Sequence, residues 1–445
     1  MLCYFSSELL LINCFFIVKK SIFLFIISVF LFSCSRNLSY FTETSKIEQG
    51  TSSFYTDNII NEYTKVENNK LRVAVLVPLS GEVKTVGESI VNAIQMSLFE
   101  NNKKNIVLKI YDTKGTTFGA VDAINKAIED GVDTVIGPLF SAETKAIKNI
   151  LRQNNLISFS LSNDEELRNI DNVFVTGSIP QQEIQTLISY MMENDFYNYV
   201  ALMPNSTHGA LMNRILRGTI LNKDGLLIKT EYYTQNEKNL INKINGLVNF
   251  YEVPQTLYED FEKKKLENKL LGITEELEFT IQEEEKIYPQ ALFIPDGGKQ
   301  AEQIANLLFI TQHNSRYIQL IGTTKLDGDE SIINNPYFDK VIFIGANPNK
   351  YKNFRDGYVN LYREEPVKIT SMVYDLINIM DTIYTFEDGK YIINKKELLD
   401  PRGFDGIDGR YRFLPNGIVE RKMFVLQLQN KEKVVINTDQ EFLNY

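Results

Sequence analysis

Few side chains in this sequence could do chemistry at a shared site. The two histidines, His208 and His313, are far apart and have no His or Glu beside them at metal-ligand spacing. All three cysteines, Cys3, Cys14 and Cys34, fall in the first 34 residues, so no disulfide or thiolate metal site can form downstream. No P-loop, dinucleotide fingerprint or Gly-x-Ser-x-Gly elbow follows a strand. The sequence predicts no enzyme and no cofactor, and leaves a two-carboxylate hydrolase open but unsupported.

Composition and charge limit the classes of partner that this protein can bind. Of the 445 residues, 44% are hydrophobic and 23% charged, as in ordinary globular proteins. Acidic residues outnumber basic ones by 57 to 47, giving a net charge of -10. Because there is no broad basic surface for a phosphate backbone, we expect no nucleic-acid partner. The length favours more than one folded unit.

Residues 1–33 are typical of an export signal. The basic pair Lys19 and Lys20 precedes the apolar core Ile22–Phe32, and small residues follow it. This stretch is shorter than the ~20 residues of a bilayer span, which favours a signal over a membrane helix. The run Leu31-Phe32-Ser33-Cys34 resembles the bacterial lipobox, in which the cysteine is lipidated and becomes the first mature residue.

Lipidation at Cys34 would make the membrane one partner of this protein. Acyl chains would hold the soluble body at a membrane surface, and we expect the periplasm as its location, with the outer membrane favoured. The alternative is an uncleaved or conventionally cleaved signal with a chance cysteine.

The rest of the chain alternates between strand and helix patterns. Residues 34–70 are polar and lack periodicity, which predicts a flexible tether. A buried-strand run, Leu71–Val77, then starts an alternation that restarts after residue 175. Such alternation predicts an α/β fold of parallel sheets, and so many units favour two doubly wound lobes. Near the C-terminus, Pro415–Gly417 predicts the turn of an antiparallel hairpin.

One segment, residues 251–286, breaks this alternation. It is dense in Glu and Lys, has high helical capacity and carries only a weak apolar stripe. Two interpretations remain open: a solvated helical insertion in the second lobe, which charge runs usually are, and an arm that contacts a partner.

Several runs carry a resemblance to a known family. Val75–Gly81 and Val135–Thr144 look like the opening and the third strand of the type I periplasmic-binding fold. Leu292–Gly298 and above all Gly403–Phe413 resemble the penicillin-binding-protein activator lipoproteins of alphaproteobacteria, a leucine-binding-protein-like group. The resemblance runs through most of the mature chain.

The resemblance implies two lobes with a ligand between them. Lobe I would hold residues 71–177 and 323–400, and lobe II residues 178–322 and 401–440. In amino-acid-binding relatives, hydroxyls after the third and fourth strands take the ligand carboxylate, and an acid from the second lobe takes its ammonium. The corresponding candidate ligand-binding residues are Ser141, Ser160, Ser162, His208 and Asp296. The alternative is that the serines cap helices and that His208 lies in a loop.

We therefore expect a non-enzymatic, lipid-anchored envelope protein that regulates peptidoglycan synthesis through contact with a penicillin-binding protein, that is, a peptidoglycan synthase. The alternative is an amino-acid solute-binding protein, of the leucine or branched-chain type, that serves an ABC permease. In both cases the cleft between the lobes could take a small molecule.

Overall fold

The computed structural model describes residues 70–271, 273, 277–312, 316–328 and 331–437. The predicted signal peptide and lipidation site Cys34 lie outside these residues, as do tether residues 34–69 and His313. None of the helices in the described ranges is long and apolar enough to cross a membrane.

Strands and helices alternate along most of the described chain, as the sequence predicts. The strands are β1 (Leu71–Val77), β2 (Ile106–Asp112), β3 (Thr134–Ile136), β4 (Ile157–Ser160), β5 (Val173–Val175), β6 (Asn198–Pro204), β7 (Leu226–Tyr233), β8 (Ala291–Ile294), β9 (Gln319–Gly322), β10 (Ile342–Gly345), β11 (Tyr384–Glu387), β12 (Lys390–Ile393), β13 (Tyr411–Phe413), β14 (Val419–Arg421), β15 (Phe424–Gln429) and β16 (Glu432–Val435). The α-helices are α1 (Lys84–Glu100), α2 (Thr117–Glu129), α3 (Ser141–Gln153), α4 (Pro180–Glu193), α5 (Thr207–Leu221), α6 (Leu240–Val248), α7 (Gln255–Leu270), α8 (Gly298–Gln312), α9 (Thr324–Asp327), α10 (Ser331–Asn334), α11 (Pro348–Tyr362), α12 (Thr370–Ile383) and α13 (Lys395–Leu398).

Lobe I is built on a five-stranded parallel sheet in the order β2-β1-β3-β4-β5. The interior strand β1 is buried almost throughout, because helices cover both faces of the sheet. Helices α1 and α12 pack on one face through residues such as Ile94 and Ile377. Helices α2 and α3 pack on the other through residues such as Ile124 and Leu151.

Lobe II is built on a seven-stranded sheet in the order β16-β15-β10-β9-β8-β6-β7. Strands β6 to β10 are parallel, and β15 and β16 join antiparallel at one edge. Helices α6 and α8 cover one face through residues such as Ile244 and Ile304, and α4 and α5 cover the other through residues such as Leu187 and Leu216. The predicted α/β class with two parallel-sheet lobes is confirmed, and so is the C-terminal hairpin, formed by β13 and β14.

Two lobe assignments made from the sequence are wrong. Strand β10, expected in lobe I, pairs with β9 and β15 in the lobe II sheet, so the chain crosses after residue 345 and not at residue 323. The hairpin β13–β14, expected in lobe II, belongs to the lobe I core, where the Phe413 ring lies 5.7 Å from that of Phe159. The last crossing therefore falls between β14 and β15.

Candidate functional site

The carboxyl ends of the parallel strands of both lobes face a common cleft of about 510 Å³. Lobe I supplies mainly apolar side chains, from the turns after its strands and from the start of α12. They include Val86, Leu139, Phe140, Leu161, Ile369 and Met372. Lobe II supplies His208 and Met212 on α5 and residues 323–325 after β9. This is where ligands bind in open α/β sheets, because loops there vary without disturbing the strands.

The three candidate serines have different environments. Ser162 lines the cleft, and its Oγ accepts a hydrogen bond from the backbone N–H of Asp164 at 3.1 Å. Ser160 is fully buried within β4, where its Oγ lies 2.8 Å from the hydroxyl of Thr144. Ser141 is the first residue of α3 and hydrogen-bonds the Asp164 carboxylate. Neither Ser160 nor Ser141 lines the cleft.

His208 and Asp296 belong to one cluster in lobe II, centred on Lys325. The Lys325 Nζ lies 3.0 Å from His208 Nε2 and 3.4 Å from an Asp296 carboxylate oxygen. The hydroxyl of Tyr233 donates to the other oxygen of Asp296. Burial and the neighbouring Lys325 lower the pKa of His208, which is therefore neutral at pH 7. His208 lines the cleft, whereas Asp296 does not and is already paired.

A buried carboxylate in the cleft wall, Glu183, was not among the candidates from the sequence. It lies in the first turn of α4 and accepts hydrogen bonds from the Ser178 hydroxyl at 2.7 Å and from the Thr324 hydroxyl at 3.0 Å. The Thr324 backbone N–H donates to its second oxygen at 3.3 Å. Burial raises the pKa of Glu183 despite these donors. The local sequence signal was an acidic residue shortly after Pro180, which is typical of a helix start and does not indicate a site.

A second group missed from the sequence is an ion cluster centred on Lys368 at the base of the cleft. The Lys368 Nζ lies 2.5 Å from Asp327 of lobe II and 3.5 Å from Asp408, which precedes the lobe I hairpin. Burial alone would lower the pKa of Lys368, but the two carboxylates raise it above its ordinary value. Asp327 also pairs with Lys433 at 3.2 Å and accepts from the Ala346 backbone N–H at 3.0 Å. The cluster therefore joins the two lobes through buried charges.

The described part of the chain offers no group of three or more His, Cys, Asp or Glu side chains that could hold a metal ion. The chemistry of the cleft is therefore that of apolar contact, a few hydroxyls and amides, and charges that are already paired.

Comparison with known proteins agrees with this architecture. Residues 70–245 match the family model described as periplasmic binding protein. The described part of the chain has the type I periplasmic-binding fold. One solved structure, from Rhodospirillum rubrum, is named as a putative branched-chain amino acid ABC transporter. It superposes with a TM-score of 0.64 at 16% identity, over 82% of this chain and 100% of that one.

Two curated relatives of this chain differ in their named roles. The Leu/Ile/Val-binding protein BraC3 of Rhizobium johnstonii is 26% identical over 28% of this chain and 36% of that protein. The penicillin-binding protein activator LpoA of Histophilus somni is 24% identical over 31% of this chain and 23% of that protein. The chain spans half or less of the length of the curated relatives it matches.

Proposed function

We propose that this periplasmic-binding-domain protein is a non-enzymatic regulator of peptidoglycan synthesis that acts through contact with a penicillin-binding protein. It would be held at the membrane by lipid on Cys34. The observation that carries the proposal is that two polar groups expected to bind an amino acid are already hydrogen-bonded or ion-paired within the protein. Ser160 is sealed inside the sheet, and Asp296 is paired with Lys325. The relation to LpoA supports the same role.

The charged insertion supplies a surface suited to protein contact. Helix α7 has no buried residue. At its root, Tyr258 and Phe261 pack on the ring of Phe279, with centroids 4.7 Å and 5.0 Å away. Leu266 and Leu270 are spaced one helical turn apart, and they are 58% and 78% exposed. Exposed leucines at this spacing form the kind of apolar stripe that a groove on another protein can cover.

Binding and activity measurements test the proposal. The full chain, in detergent, would be presented to a penicillin-binding protein from the same cell, and affinity and the rate of glycan polymerisation would be recorded. We expect binding that is weakened at least tenfold by the paired change Leu266→Glu and Leu270→Glu. The matched control is Leu221→Glu, at the end of α5, where the leucine is 69% exposed. Equal loss in the control, or no binding by the unchanged chain, would contradict the proposal.

A second candidate is an amino-acid solute-binding protein. It is favoured by the relation to BraC3 and by the Ser162 hydroxyl in a cleft of about 510 Å³. Scanning calorimetry of the chain with leucine, isoleucine or valine tests it, and no rise in melting temperature with any of them would contradict this candidate. A true ligand at 100 times its dissociation constant should stabilise the native state by about 2.7 kcal/mol.

A further inference from the structure

The wall of the cleft that lobe I provides is apolar. Val86, Leu139, Leu161, Ile369 and Met372 line this side, and Met212 of α5 lies on the other. The five lobe I side chains come from four separate segments of the chain, so this apolar surface results from the fold and not from one apolar run. A cavity of this size can enclose a molecule of ten or more heavy atoms, and apolar walls favour hydrocarbon over charge.

Each charged group at the cleft already has a counter-charge or a full set of donors. Lys368 lies between Asp327 and Asp408, and Lys325 is paired with Asp296. The carboxylate of Glu183 accepts from Ser178 and from Thr324. An amino-acid zwitterion would lose its hydrogen bonds to water on entry. It could replace them only by breaking one of these existing pairs.

Some uncharged hydrogen-bonding capacity remains. The Ser162 Oγ accepts from Asp164, and within the described residues its hydroxyl hydrogen has no acceptor. The neighbouring Asn163 is exposed at the cleft. These two side chains can serve a hydroxyl or carbonyl group on a ligand whose body lies against the apolar wall.

We propose that the cleft binds an uncharged, mainly apolar small molecule with a single hydroxyl- or carbonyl-type group, in preference to an amino acid. Its apolar part contacts the lobe I wall, and its polar group meets Ser162 and Asn163. This inference does not depend on contact with a penicillin-binding protein, because helix α7 contributes nothing to the cleft lining.

Three probes with one carbon skeleton separate the possibilities: 3-phenylpropan-1-ol, 3-phenylpropanoate and L-phenylalanine. They differ only in presenting a neutral, an anionic or a zwitterionic head. Binding to the full chain in detergent would be measured by ligand-detected NMR titration, which reports weak affinities. We expect the alcohol to bind at least tenfold more tightly than phenylalanine and more tightly than the carboxylate.

Variants locate the binding. Val86→Trp fills the cleft and should lower the affinity for the alcohol at least tenfold. Met372→Phe serves as a second obstruction should the first variant fail to fold. Leu221→Trp adds the same ring at an exposed position outside the cleft and should have no effect. The inference is overturned by tighter binding of phenylalanine or the carboxylate, by no binding of any probe, or by alcohol binding that both obstructed variants retain. None of these outcomes bears on the α7 variants, so failure here is distinguishable from failure of the proposed function.

Discussion

Replacing Lys368 by methionine should measurably weaken the junction between the lobes. The change keeps most of the side-chain volume but leaves Asp327 and Asp408 without their shared cation. Removing one partner of a buried ion pair typically costs about 3 to 5 kcal/mol, because the remaining charge stays desolvated. Here Asp327 keeps Lys433 at 3.2 Å, and Asp408 keeps the Ser371 hydroxyl at 2.5 Å. We therefore expect the lower end, about 3 kcal/mol.

That loss converts into a shift of the melting temperature. Unfolding entropy is about 2.1 cal/mol/K per residue, so the compact unit of residues 68–445 has an unfolding entropy of about 0.8 kcal/mol/K. A loss of 3 kcal/mol then corresponds to about 4 °C, which scanning calorimetry of the full chain can resolve. A fall of less than about 1 °C would refute the reasoning that these charges are buried and mutually dependent.

The matched control is Lys84→Met, which removes an ion pair of similar length on the surface. Lys84 lies 3.1 Å from Glu88, and the two side chains are 53% and 47% exposed. Such pairs contribute about 0 to 1 kcal/mol, so the control should shift the melting temperature by no more than about 1 °C. A control shift as large as that of Lys368→Met would show that loss of any lysine, and not the buried cluster, is responsible.

Three further results are expected. Burial and the nearby Asp408 raise the pKa of Asp375 to about 8, so the folded state retains a proton that the unfolded chain loses near pH 4, and stability should fall as pH rises from about 4 to 8; Asp375→Asn should remove this decline in melting curves taken across that window. A Cβ on Gly209 would lie 1.9 Å from the Pro204 carbonyl oxygen, whereas one on Gly218 of the same helix meets nothing within 4 Å. In urea unfolding, Gly209→Ala should lower the free energy of unfolding by about 1 to 3 kcal/mol. Gly218→Ala should raise it by up to about 1 kcal/mol. The paired glutamate change at Leu266 and Leu270 should leave the melting temperature within about 1 °C, since both leucines are already exposed.

The strands and helices of both lobes could be predicted because their signals are local. The apolar run Leu71–Val77 and the helical spacing after it belong to neighbours in sequence. Lobe membership could not be predicted for β10 or for the hairpin β13–β14. A short apolar strand has the same pattern in either sheet, and only its pairing with β9, about 20 residues earlier, assigns it.

The residues of the candidate site also divide into those that local sequence signals predict and those that they do not. Ser162 and His208 follow the ends of strands, and such positions reach a cleft between doubly wound lobes whatever the details of packing. Ser160 stands only two residues before Ser162, yet it is still within β4, where its hydroxyl meets Thr144. Glu183 and Lys368 give no local sign of a site, because their partners Thr324, Asp327 and Asp408 are distant in sequence and are brought to them only by the fold.

The position of the Lys368 cluster links the cleft to the junction of the lobes. Ser178, Thr324, Lys368 and Met372 line the cleft and also a small cavity of about 40 Å³ beneath it, which reaches Asp408 and Arg421. A molecule seated at the base of the cleft therefore lies against Lys368, which joins the lobes through Asp327. A ligand shifts a conformational equilibrium only by its difference in affinity for the two states. Contact with Lys368 provides such a difference, since Lys368 is carried by lobe I and its partner Asp327 lies in lobe II.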